Sequence, residues 1–409
     1  MSSVGSWRRI SVRGRLGRSG RSEIALAVLL AGCFGTVMFD RMAQLYLGPY
    51  LIEDLRLGPE QIGLLAGVVS ICWAVSTLLF GVVSDRFGRK RVLVPAMVAF
   101  SLLSWISGLA GDFGQLLAIR ALLGLAEGPC WSVIMALMDE SSLSANRGRN
   151  IGVVVCAGPL IGSALGPILT TQIAQHFGWR GAFFAAGVPG LVLAGVVAAV
   201  VVEPHTTRSC AVRMRGRELA TLAQLPSMWL CFAAALLLTV WVFAFNAFAP
   251  LFLTATRHFT PGMMGLILGA SGFGGFAYCL AGPTLSDRFG RRPAILATAT
   301  IATALPLLVL IPRIGAAGLA AVSLLATSGP ALAALAMVIV PMEIAPPALA
   351  ATAVGFVSIG GDAIGASLGP IIGGKLTEEW GFAAPLVMAA AAAAGIVVIG
   401  LFLRETRER

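Results

Sequence analysis

The sequence predicts an all-α membrane protein of about twelve transmembrane helices, arranged as two pseudo-repeated six-helix bundles. Three observations carry this: a charge-poor composition, about twelve apolar runs of bilayer length, and a six-residue string that occurs twice, half a chain apart.

Of 409 residues, 57% are hydrophobic and only 12% charged, and the mean hydropathy is +0.89. A water-soluble domain carries roughly 25% charged residues to cover its hydrated surface. Half that fraction implies a surface that mostly faces lipid.

Crossing the ~30 Å hydrocarbon core takes about 20 apolar residues. Such runs read at 24–48, 62–83, 92–110, 115–138, 150–173, 181–202, 229–253, 262–284, 294–312, 316–341, 349–374 and 381–403. Several contain Gly and Pro, among them Gly369 and Pro370, which a membrane helix tolerates when neighbouring helices satisfy the freed backbone.

Cations set the expected orientation. Arg8, Arg9, Arg13, Arg15, Arg18 and Arg21 share one side with Arg86, Arg89, Lys90, Arg91, Arg147 and Arg149 if the helices alternate. So do Arg208, Arg213, Arg215, Arg217, Arg288, Arg291, Arg292, Arg404, Arg407 and Arg409, giving that side 22 of the 29 cations. The opposite side holds Arg56, Arg180, Arg257, Arg313 and Lys375. The positive-inside rule makes the rich side cytoplasmic, with both termini inside a bacterial-type inner membrane.

The net charge of +10 sits in short loops at one face, so membrane lipids rather than nucleic acid are the expected partner. The arginine-rich start lacks an apolar core and a cleavage site, so it is expected to be a basic arm and not a signal peptide. All seven cysteines except Cys210 lie in apolar runs, there is no CxxC, and there are three His. No metal, cofactor or disulfide is expected, and no obligate protein partner is evident.

The internal repeat divides the chain. Ser84-Asp85-Arg86-Phe87-Gly88-Arg89 recurs letter for letter as Ser286-Asp287-Arg288-Phe289-Gly290-Arg291. Each copy is expected in the connection after the second helix of its half. The expected organisation is a cytoplasmic arm (1–22), a first bundle (23–203), a central loop (204–226), a second bundle (227–403) and a tail (404–409). Parallel repeats of this kind are a transporter architecture.

The run Gly81-Val82-Val83-Ser84-Asp85-Arg86-Phe87-Gly88-Arg89-Lys90-Arg91 closely resembles the second-to-third-loop signature of the major facilitator superfamily. Helix count and repeat extend the resemblance over essentially the whole chain. In the second copy Pro283 stands where the signature has its first Gly, with Gly282 one place earlier, which points to a looser interlock there.

Gly81 and Gly88 are expected to allow close helix approach and a tight turn. Asp85 can accept from N–H groups at the start of a helix in the opposite half, while Arg86 and Arg89 pair with carboxylates or lipid phosphates. Asp287, Arg288, Gly290 and Arg291 repeat these roles. Such contacts form only when the cytoplasmic side is closed, which makes the cluster a state-dependent latch. The plainer reading is topology alone, basic residues holding a loop inside.

Five ionisable groups remain within the apolar runs: Asp40, Arg41, Arg120, Glu127 and Asp362. Each costs on the order of 2.5–3.5 kcal/mol at the bilayer centre, so lipid exposure of all five costs more than ~10 kcal/mol. They must face a cavity or each other. At ~1.5 Å per residue, Arg120 is level with Asp40 and Arg41, while Glu127 and Asp362 lie near the midplane in opposite halves. Arg120 and Glu127, seven residues apart, share a helix face. Asp40 can therefore meet Arg120 while Arg41 reaches another partner. Glu127 is left with the weakest claim on a fixed cation, the condition a proton carrier requires. Three acids against two bases argue against a purely static salt-bridge network.

Asp40-Arg41 and Arg120-x-x-x-Gly124-x-x-Glu127-Gly128-Pro129, with Trp131 after them, resemble the anion:cation symporter branch of that superfamily. The resemblance implies coupling acids at Asp40 and Glu127, an anion contact at Arg41, and an organising role for Arg120. The Asp-Arg pair, the Arg-to-Glu spacing and Gly361-Asp362-Ala363 are also similar to Spinster-like lipid transporters, which adds Asp362 to the proton-coupling set. Gln44, Trp73 and Asn246 are the expected cavity walls.

Gly158-Pro159-x-x-Gly162-x-x-x-Gly166-Pro167 partly resembles a signature of proton-coupled drug antiporters, but Thr170 and Thr171 replace its closing Gly pair. No GxxxxGK[ST] run exists for ATP. A membrane enzyme would show a nucleophile or metal set, and a sensor an added soluble domain; neither is present. The expected function is a proton-coupled carrier importing a small organic anion, with drug efflux, Spinster-like lipid transport and a non-transporting sensor as alternatives.

Overall fold

The computed structural model describes residues 20–202 and 216–406. The basic arm up to residue 19, residues 203–215 of the central loop and the last three residues of the tail lie outside the described residues. So do the cations expected there.

Eleven helical stretches are long and apolar enough to cross a bilayer. In the first half they are α1 (Glu23–Tyr46), α2 (Pro59–Phe87), α3 (Arg89–Ser107), α4 (Phe113–Ser141) and a 54-residue stretch, Arg147–Val200. That last stretch is about 80 Å long at 1.5 Å per residue, more than twice the hydrocarbon thickness. Gly178 interrupts it at φ 72°, ψ 170°, and the chain reverses there into α5 (residues 147–177) and α6 (residues 179–200). The second half supplies α7 (Pro226–Thr256), α8 (Pro261–Phe289), α9 (Arg291–Val309), α10 (Ala316–Ile344), α11 (Thr352–Trp380) and α12 (Ala384–Phe402). The chain is thus a multi-pass membrane protein of twelve crossings with no strand among the described residues. An even number of crossings puts both described ends on one side, here the terminal face; the other is the far face.

Local chemistry sets the helix ends. Asp112 Oδ1 accepts from the Gln115 amide at 2.9 Å and starts α4, and Thr260 Oγ1 accepts from the Met263 amide at 3.3 Å to start α8, ordinary N-caps. The repeated string is not a loop. Ser84–Phe87 finish α2 and Arg89 begins α3, so the connection is Gly88 alone. Gly88 has φ 104° and Gly290 φ 101°, a region that a side-chain-bearing residue rarely enters. A one-residue turn of this shape needs Gly, and this shortens the connection below the sequence expectation.

Pro159 of α5 and the acid of α11 coincide with wider turns. Residues Gly158–Leu165 and Ile359–Gly365 are π-helical, the second carrying Asp362. Such insertions occur where a helix is locally re-aimed, often at functional positions.

The two halves join toward the far face. Tyr46 donates to Asn246 Oδ1 at 3.4 Å, and Lys375 lies 3.9 Å from Glu60. α2 packs on α11 with Gly63 against Pro370 and Gly374, and α8 packs on α5 with Gly272 against Ser163 and Ala164. Nearer the terminal face the picture changes: a Cβ at Gly81 would meet nothing within 4 Å. The expected close approach at Gly81 is absent.

Candidate functional site

Of the five membrane-embedded charges, Asp40 and Arg120 meet inside the first bundle, while Arg41 reaches the second half. Asp40 on α1 and Arg120 on α4 are both fully buried, and Arg120 Nη1 lies 3.7 Å from Asp40 Oδ2. The Ser104 hydroxyl on α3 lies within hydrogen-bonding distance of both Asp40 and the Phe183 carbonyl, at 3.0 Å, and its one hydrogen serves either acceptor. The Phe183 ring lies under the Arg120 guanidinium, 4.2 Å from Cζ to the ring centroid, a contact favoured by the ring quadrupole in a dry setting.

Glu127, one face below Arg120, is fully buried. The Arg41 and Arg120 guanidinium groups and the Asp40 carboxyl are near enough to act on its charge. No N–H or hydroxyl donor among the described residues bonds to either oxygen of Glu127. Two carboxyls can bond each other only when one carries a proton. The pair can therefore hold a proton between α1 and α4.

Arg41 is turned away from Asp40, as adjacent residues on a helix must be. Its Cζ lies 4.3 Å from the Trp73 ring of α2 and 5.0 Å from the Phe243 ring of α7, so the guanidinium is held between the two halves. Its Nη2 donates to Ser70 Oγ at 3.2 Å. The carboxylates that act on its charge are Glu127 in its own half and Asp362 in the other. A cleft opens beside it, where Arg41, Gln44 and Ser70 supply the polar groups. Leu45, Ala66, Val69 and Phe243 make the remaining wall.

Of the expected cavity walls, Gln44 lines the cleft and Trp73 backs Arg41. Asn246 does something else. It accepts from Tyr46 and donates to the Val242 carbonyl at 2.7 Å, tying the halves together rather than lining the cleft. Trp131 stacks near Phe34 with centroids 4.7 Å apart.

The repeated strings build two matching ion clusters at the terminal face. Arg89 pairs with Asp85 at 2.5 Å and with Glu140 at 3.1 Å, and donates to Ser84 Oγ at 2.6 Å. Arg291 pairs with Asp287 at 2.6 Å and Glu343 at 2.9 Å, and donates to Ser286 Oγ at 2.6 Å. These pairs tie α2 to α4 through Arg89 and α8 to α10 through Arg291. Arg86 and Arg288 are exposed. Glu405 of the tail accepts from the Arg291 amide at 2.8 Å and the Arg292 amide at 3.1 Å, fastening the chain end to the start of α9.

Sequence reasoning missed Ser70, Ser104, Phe183, Phe243 and the acids Glu140 and Glu343. Only the two acids left a readable signal, since they stand close to half a chain apart like the repeat itself.

A family model described as Major Facilitator Superfamily matches residues 29–363 and 285–409. The chain is 37% identical over 171 residues to the hexuronate transporter of Bacillus subtilis, covering 42% of this chain and 40% of that protein. It is 30% identical over 271 residues to a protein of Cupriavidus pinatubonensis described as "Probable 4-methylmuconolactone transporter", covering 63% and 61%. To the 4-hydroxybenzoate transporter of Pseudomonas aeruginosa it is 30% identical over 189 residues, covering 46% and 42%. The chain thus spans between about two fifths and three fifths of the length of these relatives. Among solved structures, a bacterial homolog of the human lysosomal transporter Spinster, inward-facing and unoccupied, superposes with a TM-score of 0.72 at 16% identity, covering 94% of this chain and 96% of that one. The nucleoside transporter NupG gives 0.75 at 14% identity, covering 92% and 99%. At such identities the likeness is one of fold.

Proposed function

The chain belongs to the Major Facilitator Superfamily, and on that footing we propose that it is a secondary active transporter that takes up a small organic anion together with protons. It works by alternating access across the inner membrane, with both termini in the cytoplasm. The observation that carries this reading is the placement of Arg41, a buried cation held between Trp73 of the first half and Phe243 of the second, with the acids Glu127 and Asp362 near enough to act on its charge.

A carboxylate entering the cleft competes with those two acids for Arg41. Once it has taken the guanidinium, Asp362 loses its counter-charge and Glu127 keeps only Arg120, and a proton is the cheapest replacement in a low-dielectric site. Anion and proton therefore load cooperatively, which is the thermodynamic content of symport. Asp40, already neutralised by Arg120, shares the proton with Glu127 and links the load to the packing of α1 on α4. A proton moving down 100 mV supplies ~2.3 kcal/mol for this coupling.

Two further facts support the reading. The relatives include transporters named for hexuronate and 4-hydroxybenzoate, both organic anions. The halves pack closely on each other, Gly63 against Pro370 and Gly272 against Ser163, as expected of two bundles that move against one another. The test is uptake of labelled carboxylates into proteoliposomes with and without an imposed pH gradient. Gradient-dependent accumulation of at least one acid is expected; accumulation indifferent to the gradient overturns proton coupling, and none for any acid overturns the anion reading.

A further inference from the structure

Two buried polar atoms beside the cleft have no hydrogen-bond partner among the described residues, and they are of opposite kind. Arg41 Nε is a donor and Gln44 Oε1 an acceptor. The two residues are three apart on α1, so they stand on one face with Cβ atoms about 5–6 Å apart. Arg41 is 9% and Gln44 4% exposed, and both line the cleft. A buried donor or acceptor left unmade costs more than a made hydrogen bond returns. A ligand presenting a carboxylate to Nε and a hydroxyl to Oε1 satisfies both at once.

The rest of the wall limits what that ligand can be. Ser70 is already engaged, accepting from Arg41 and donating to the Ala66 carbonyl at 3.1 Å. Around it stand apolar side chains and the Phe243 ring. A sugar acid brings several hydroxyls, and most of them would be stripped of water without finding a partner. A flat ring loses nothing against this wall, and its face can stack on Phe243.

We infer that, within the organic-anion reading on which this rests, the preferred substrates are aromatic carboxylates bearing one or two ring hydroxyls. The carboxylate, conjugated with the ring and lying in its plane, meets Arg41 through Nε. The ring hydroxyl donates to Gln44 Oε1. Phe243, the one aromatic wall supplied by the second half, selects the flat ring and is a specificity-determining residue.

The test uses the purified full-length chain and reads apparent Kd from ligand-induced thermal stabilisation. The probes are 4-hydroxybenzoate, benzoate, 4-hydroxycyclohexanecarboxylate and galacturonate. We expect 4-hydroxybenzoate to bind about tenfold or more tighter than the saturated ring, a factor that corresponds to one good contact, with galacturonate weaker still. Gln44→Met is expected to bring 4-hydroxybenzoate down to the level of benzoate, both measured on the same variant. Phe243→Leu is expected to narrow the gap between flat and saturated rings. If galacturonate or the saturated acid binds as tightly as 4-hydroxybenzoate, or if Gln44→Met leaves the hydroxyl preference intact, the aromatic assignment is overturned and the organic-anion reading stands. If none of the four acids binds, both fall.

Discussion

Asp40 and Arg120 face each other at 3.7 Å with no exposed surface on either side chain. Water screens this pair not at all, so removing one member strands the other in a dry interior. Arg120→Met is expected to destabilise the protein by about 3–5 kcal/mol, the usual cost of breaking a buried pair from one side. Asp40→Asn added to it should recover a good part of the loss, since the double variant buries no charge there. Thermal unfolding in detergent of wild type, both single variants and the double variant checks this. A double variant less stable than Arg120→Met alone would falsify the pairing.

Glu127 meets the Asp40 carboxyl and two guanidinium charges but no neutral donor. Gln at this position mimics the protonated acid permanently. Glu127→Gln is expected to keep exchange of labelled for unlabelled substrate while abolishing accumulation driven by a pH gradient. The two assays on one proteoliposome preparation separate the steps, and uphill uptake equal to wild type is the contrary result.

Arg41 offers a planar fork from between two rings, a geometry that a lysine cannot reproduce. Arg41→Lys retains the charge, yet substrate affinity should fall about 10- to 100-fold, the equivalent of one charge-assisted hydrogen bond at ~1.5–3 kcal/mol. Arg41→Ala should leave almost no binding. Apparent affinity for the best acid of the panel, measured for all three proteins, decides the matter; near-equal values would point to a substrate held by apolar walls instead.

Asp85 sits against Arg89 in its own half, at the terminal face. The proposed latch has it reach a helix start in the other half when that face closes. Asp85→Asn weakens the first contact in both states and removes the charge-assisted part of the second, which exists in one. The resting population is therefore expected to shift toward the terminal-face-open form. Alkylation rates of single cysteines placed at each face measure the shift, and rates matching wild type at both would dispose of the latch.

The fold was largely legible because lipid imposes one strong constraint: each crossing needs a long apolar run, and the Ser84–Arg89 string reappears at Ser286–Arg291 to mark the halves. What the runs concealed was how little chain joins them. Gly88 and Gly178 each turn the chain with almost no loop, and a glycine among apolar residues looks the same whether it turns or packs. In the site, the match of Asp40 with Arg120 follows from rise per residue alone. The roles of Ser70, Ser104, Phe183 and Phe243 depend on how α2, α3, α6 and α7 are rotated about their axes. Nothing in a uniformly apolar helix encodes that rotation, because no polar face marks the side turned inward. Asn246 misled for the same reason, its polarity serving the Tyr46 contact across the halves.

The twin ion clusters at the terminal face are alike in chemistry but not in their access to solvent. Asp85 and Arg89 are 10% and 8% exposed, whereas Asp287, against Arg291, is 65% exposed. Dissolved ions weaken only what they can approach: the screening length shrinks from about 10 Å at 0.1 M to about 3 Å at 1 M. Ionic strength thereby acts on the two halves unequally, loosening the second clasp while sparing the first. A molecule whose halves carry the same six-residue string is in this respect asymmetric, and added salt becomes a means of addressing one half at a time without changing a residue.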